Sequence, residues 1–343
     1  MSVLLSTGLY DEALDCLHKT GPEFEGWLSN HGPMAVEALA RHGSDESLLR
    51  WAQRYSQRLE DLPRSTWAIE PDTWEGALGD PKRLADWITF FERRLAEQAW
   101  SDTLAQWWPR LLPGIAAGAT HGVIRVGHAV RALRDEESEV RIRELAHALG
   151  YWAGRWQPVP LLVPSGTRPV SELVTTVPRV PRQRDGIRYR LAQLDETKGW
   201  KEHGASLRRP GSIDDVPSAL DVLVDSVVVS YPRLSVGEPT MLVHAATAPN
   251  AVARVLPSLP RSMWEPSYVA AWSAASAVLA AYGPAAGGPE RPTTLDVSEA
   301  WHRAATHGGE HVVKLADTAL DVHARTGDQR AVDAIMSAVE LDA

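Results

Sequence analysis

Between Gly114 and Leu133 the chain reads GIAAGATHGVIRVGHAVRAL. Its apolar residues recur at helical spacing, although Gly118, Gly122 and Gly127 interrupt them. Each glycine in a helix interior costs roughly 1 kcal/mol relative to alanine. Something must offset that cost, and the usual offset is close approach of a neighbouring helix or a ligand, which a missing side chain permits. His121, Arg125 and His128 follow one another at i, i+4 and i+7, so they share one helix face. A wall of small residues carrying two imidazoles and a guanidinium is a candidate site. The plainer alternative is a tightly packed core helix whose histidines bond to neighbours.

The same periodicity runs through most of the chain. It predicts helices over 8–19, 45–59, 80–97, 102–108 and 137–156, the fourth stopped by Pro109 and Pro113. A helix begins at NHGPMAVEALARHG, with Asn30 as N-cap, Pro33 in the first turn and Gly43 past its end. His31 then lies at a helix start, where the dipole disfavours imidazolium and leaves a neutral ring able to bind a metal. From 157 to 239 prolines become frequent and only short helices are expected, at 171–177 and 214–231. Apolar content persists there, so the segment reads as an irregular crossover within one large domain, 1–343, and not as a linker. Helical patterns resume over 240–255, 267–282, 297–305, 309–325 and 329–341. Strand-like alternation is almost absent, and the fold class expected is all-α.

A chain of 343 residues is long enough to bury a sizeable core. Its net charge of -9 argues against a general nucleic-acid binder. The basic run Arg179, Arg182, Arg184, Arg188 and Arg190 reads as a solvated loop. No apolar run is long enough to span a bilayer, and the N-terminal stretch turns acidic early, so a cytoplasmic protein without membrane partners is expected. The single Cys16 lies on an amphipathic pattern and is expected to be buried and inert. Fourteen tryptophans are many for this length. They are either core residues or the lining of a pocket for a planar molecule.

Five places combine histidine with a helical context, at His31, His121, His128, His244 and His311. Histidines on facing helices are what an all-helical metal site is built from. On the last helix His311 and Lys314 share a face at i, i+3, with Thr318 a turn beyond. A lysine buried beside a metal is disfavoured as ammonium, and its neutral amine is a nucleophile. His307 to His311 also spells the H-x-x-E-H pattern of some zinc peptidases, but Gly308 and Gly309 between the histidines favour a helix boundary over the continuous helix that motif needs. His18, His42, His147, His203, His302 and His323 read as surface or helix-end residues. No nucleotide-binding fingerprint and no nucleophile elbow is present.

Taken in order, NHGPMAVEAL, HGVIRVGHAVRAL, LVHAATAPNAV and EHVVKLADTAL, spread between about Leu9 and Leu320, resemble the questin oxidase-like family of oxidative tailoring proteins. The resemblance implies oxidative opening of an aromatic polyketide ring such as an anthraquinone, either as a Baeyer-Villiger-type oxygenation or as a non-haem iron dioxygenation. The iron version implies histidine ligands and a lysine carboxylated on its side-chain nitrogen, which fall here on His31, His121, His244, His311 and Lys314. Relatives tend to carry an aromatic residue where this chain has His128.

The expected activity is therefore that of a mononuclear Fe(II) oxygenase that uses O2 on a planar quinone or hydroquinone, with Arg125, His128 and Thr247 orienting substrate or oxygen. NADPH held by an unfamiliar surface stays open, as does a non-catalytic helical binding protein. His121 and His128 are expected to differ in role. Seven residues rise about 10.5 Å along a helix, so both imidazoles can hardly reach one ion. His121 is assigned to the metal, and His128 to the substrate wall or a hydrogen bond supporting the site.

Overall fold

The computed structural model describes residues 7–342. Among them are sixteen α-helices and one two-stranded antiparallel hairpin, Glu23–Phe24 with Leu28–Ser29, so the fold is all-α as expected. The chain forms two compact units, residues 1–158 with 257–260, and residues 159–256 with 261–343. No described helix is long and apolar enough to cross a membrane.

The first unit holds α1 (Thr7–Leu17), α2 (Gly32–Arg41), α3 (Asp45–Ser56), α4 (Leu84–Glu97), α5 (Trp100–Leu111), α6 (His121–Asp135) and α7 (Glu139–Gly154). Helix α7 is its centre, packed on α4 and α6, while α2 bridges α3 and α6. Trp87, Phe90, Phe91 and Trp107 fill the α4–α5 side, with ring centroids 5.0 to 5.8 Å apart, mostly edge to face. On the other side of α7, a Cβ added at Gly122 would stand 2.9 Å from Trp152 Cα. The missing side chain therefore lets α6 and α7 touch, which is the offset its helix-interior cost requires.

The 114–133 stretch is not one helix. It starts with a short 3-10 turn at Leu112–Gly114 and passes through three left-handed residues, Gly118 (φ 52°), Ala119 (φ 58°) and Thr120 (φ 71°), before α6 begins at His121. Gly118 thus punctuates the chain and does not lie inside a helix. Its lack of a side chain is required twice over, because a Cβ would also fall 2.3 Å from the Tyr151 hydroxyl. Pro109 does not stop α5 but lies inside its last turns, where a single missing N–H is tolerated. Asn30 is not the N-cap of α2, because His31 takes that place. The Asn30 side chain instead accepts from the Gly32 N–H at 2.9 Å and donates to the Gly21 carbonyl, which fixes the entry to the helix. Cys16 is half-buried and its Sγ lies 3.9 Å from Ser56 Oγ, so the expectation of full burial fails because α1 leaves that edge open.

In the second unit the chain first forms the short helices α8 (Val170–Leu173), α9 (Ile187–Leu191) and α10 (Trp200–Ala205). Then come α11 (Val216–Leu234), α12 (Pro239–Val255), α13 (Trp264–Tyr282), α14 (Val297–His307), α15 (Glu310–Thr326) and α16 (Gln329–Leu341). Every residue of α13 from Ser267 to Tyr282 is buried, which accounts for a sequence that is apolar on all sides. Ser267 and Ser273 are satisfied by the carbonyls of Met263 and Val269 one turn back. Arg190, expected in a solvated loop, is instead buried. Its guanidinium donates to the Ala281 carbonyl and stacks on Tyr282 at 4.3 Å, while Arg179, Arg182, Arg184 and Arg188 are exposed. Gly308, in the left-handed region, ends α14, so the H-x-x-E-H residues sit on two helices and make no continuous peptidase helix.

Candidate functional site

In the first unit the left-handed turn delivers His121 to the N-terminus of α6, and the hairpin delivers His31 to that of α2. Their rings meet edge to face with centroids 4.4 Å apart, and both are buried. His121 Nδ1 donates to the Gly118 carbonyl. A carbonyl can only accept, so the ring is held as the tautomer with its lone pair on Nε2, the form a metal ligand needs. His31 Nδ1 faces the Tyr55 hydroxyl at 3.3 Å, and that hydroxyl also accepts from the His31 backbone N–H at 2.9 Å. Tyr151 ties the two supports together. Its hydroxyl bonds to Ser29 Oγ in the hairpin while its ring packs on Gly118, and burial pushes its pKa above the ordinary tyrosine value.

Arg125 and His128, one and two turns on, are committed to carboxylates of the same unit. Arg125 Nε and Nη2 donate to Glu144 at 2.6 and 2.8 Å, and His18 Nε2 lies 2.8 Å from the same carboxylate. Burial alone raises the Glu144 pKa, but the Arg125 charge and hydrogen bonds, with His18, outweigh it and hold the group at about 2. His147 packs at a tilt against His18, ring centroids 4.7 Å apart, and lies 3.5 Å from Glu92, with its pKa lowered chiefly by burial. His18 and His147 are therefore interior groups of an ion-pair network, where the sequence suggested surface positions. Helix periodicity could place them on a face but could not show that Glu144 and Glu92 wait beside them. His128 Nδ1 lies 2.8 Å from Glu37 Oε2, a fully buried carboxylate that also accepts from Arg131 and Arg41. Burial raises Glu37, and Arg131, His128 and Arg41 together bring it well below its ordinary value.

In the second unit α12 and α15 run parallel along a polar seam. His244 and His311 meet at its start, with centroids 5.2 Å apart and planes at 78°. Asn250 donates to Thr318 at 3.2 Å further along, and Arg254 pairs with Asp317 and Asp321 near its end. Residues 311, 314, 318 and 321 follow the i+3, i+4 alternation that keeps one helix face turned to a partner. His244 Nδ1 donates to the Met241 carbonyl at 3.0 Å, which again leaves the lone pair on Nε2. Burial, then the Lys314 charge, lowers the His244 pKa to about 3, so the ring is neutral at any ordinary pH. Lys314 is fully buried, and its Nζ has no hydrogen-bond partner among the described residues. Burial lowers its pKa to about 7, against the opposing pull of Glu310 and Asp342. Thr247, buried on α12, donates its hydroxyl to the Val243 carbonyl at 3.1 Å.

The residues present fit the implied iron in their donor chemistry. His121 and His244 are pinned through Nδ1, His244 is neutral, and Lys314 is an amine whose pKa burial lowers to about 7. Six of the fourteen tryptophans, Trp87, Trp107, Trp108, Trp152, Trp200 and Trp272, are fully buried core residues. Sequence reasoning passed over Tyr151 and Glu144, whose roles come from partners distant in the chain, and over Thr120, whose spacing signals no role.

Fold and side chains together define an all-helical protein with a buried histidine pair in its first unit and a histidine pair beside a buried lysine without a hydrogen-bond partner among the described residues in its second. Residues 28–139 match the family model described as Questin oxidase-like. The match bears out the resemblance over α2 to α6, where NHGPMAVEAL and HGVIRVGHAVRAL lie, whereas LVHAATAPNAV and EHVVKLADTAL fall outside it. The comparison with curated proteins gives no match.

Proposed function

We propose that the chain is an oxygenase that uses O2 to cleave a C–C bond of a planar polycyclic quinone or hydroquinone, with Fe(II) bound by histidines and a carboxylated lysine, for which His31, His121, His244, His311 and Lys314 are the candidates. The family match supports the oxidative chemistry and the class of substrate. The observation that carries the metal reading is Lys314, a buried amine with a pKa near 7 beside His244 and one turn from His311. An ammonium aimed at a cation would be repelled. Addition of CO2 to the neutral amine forms an N–C bond, releases one proton and leaves an anionic oxygen donor. His121 and His244 contribute fixed Nε2 lone pairs, so little side-chain freedom is lost on binding. Bound iron would supply the one-electron chemistry that O2 needs to react with a closed-shell aromatic. An electron-rich hydroquinone can supply its own electrons, which agrees with the lack of a nucleotide fingerprint.

The test is oxygen uptake and product mass with a hydroxyanthraquinone or its hydroquinone, using protein reconstituted anaerobically with iron and supplied with bicarbonate. Iron-dependent uptake with a ring-opened product is expected. Turnover that requires NADPH and ignores iron would replace this reading with a Baeyer-Villiger-type oxidation. Binding without turnover under every loading would leave a helical binding protein.

A further inference from the structure

Thr120 closes the left-handed turn and is 1% exposed, yet its hydroxyl has no hydrogen-bond partner among the described residues. It occupies the N-cap position of α6, where a threonine hydroxyl ordinarily accepts from an N–H of the first turn, and that bond is not made. A buried hydroxyl without a partner is disfavoured relative to an apolar group of the same shape, so a valine would suit the ligand-free protein at least as well. The hydroxyl belongs to the residue directly before His121, whose ring meets that of His31, and neither histidine uses it for support.

We propose that Thr120 Oγ1 donates a hydrogen bond to the carbonyl oxygen of a planar hydroxyquinone and so orients the substrate beside His31 and His121. A quinone carbonyl accepts and cannot donate, which matches a lone hydroxyl donor, and the residues that precede it in the chain, Ala116, Ala117 and Ala119, are buried and apolar. This assignment rests on the oxygenase reading and names a substrate contact within it.

The experiment compares wild type with Thr120→Val, Thr120→Ala and Thr120→Ser. Affinity for a dihydroxyanthraquinone is measured anaerobically by tryptophan quenching, alongside the Tm of ligand-free protein and the iron content. Thr120→Val is expected to bind about 10-fold more weakly, with wild-type iron content and a Tm unchanged or raised by about 2 °C. Thr120→Ala should lose affinity similarly, and Thr120→Ser should stay within about 3-fold of wild type. Wild-type affinity in Thr120→Val and Thr120→Ala overturns the assignment. If these variants also melt several degrees lower, the hydroxyl is a structural group. If their Tm does not change, it serves at most a water. Absence of quinone binding by wild type overturns the oxygenase reading, and this contact with it.

Discussion

Glu144→Gln would keep the shape of the Arg125–Glu144–His18 cluster and remove its negative charge, leaving a buried guanidinium uncompensated. A loss of about 3–5 kcal/mol is expected, read as a lowered denaturation midpoint at neutral pH. The carboxyl is held at about 2 against an ordinary 4.5, so its contribution is complete above pH 4.5 and is lost as pH falls toward 2. Wild type should therefore lose stability across that window, and Glu144→Gln should respond less. Lys314 works in the opposite direction. Its folded pKa, about 7, lies below the ordinary 10.5, so the unfolded chain binds more protons between these values and stability rises with pH across them. Lys314→Met should raise the Tm of metal-free protein more at pH 6 than at pH 9. Lys314→Arg should not replace the wild-type residue in iron-dependent turnover. On the first helix pair, His128→Phe leaves Glu37 with Arg131 and Arg41 and should retain iron, whereas His121→Ala should lose it. Sequence alone could name these histidines and Lys314 because imidazoles and lysines in helical context are conspicuous. It could not name Glu144 or Glu37, since a carboxylate on a helix looks solvated until an arginine from elsewhere is seen to bury it.

Among the elements, the turn from Gly118 to Thr120 is the structural feature least visible in the sequence. Alanine-rich composition argued for helix, but Gly118 must accept both a left-handed φ and the Tyr151 ring, and these tertiary demands override propensity. Gly118→Ala is expected to cost about 2–4 kcal/mol and to loosen His121, whose Nδ1 relies on the Gly118 carbonyl. The check is a combined loss of thermal stability and metal affinity, whereas a Tm equal to wild type would show that the turn tolerates a side chain. The longer helices were legible because their apolar stripes are strong. Helix α16 spans 329–341 as its pattern indicates, and the expected 240–255, 267–282 and 309–325 helices match α12, α13 and α15 within a few residues. Ends set by side chains that arrive from outside the helix, such as Asn30 on Gly32, were not legible.

For the molecule as a whole, composition indicated the class, an all-α protein with ample core, because aliphatic periodicity and the scarcity of alternating segments are properties of the entire chain. The shift to proline-rich sequence at 157 falls beside the bound of the first compact unit at 158, and the stretch keeps its apolar residues. The family match reaches only the first unit, so the metal reading of the second stands on the geometry of His244, His311 and Lys314. The most direct test of the iron proposal, with His121 among its ligands, is the iron content of tag-free chain after anaerobic loading and desalting, measured for wild type and His121→Ala. The account predicts about one iron per wild-type chain and little in His121→Ala. No retained metal under any loading, or equal iron in the two proteins, would contradict it.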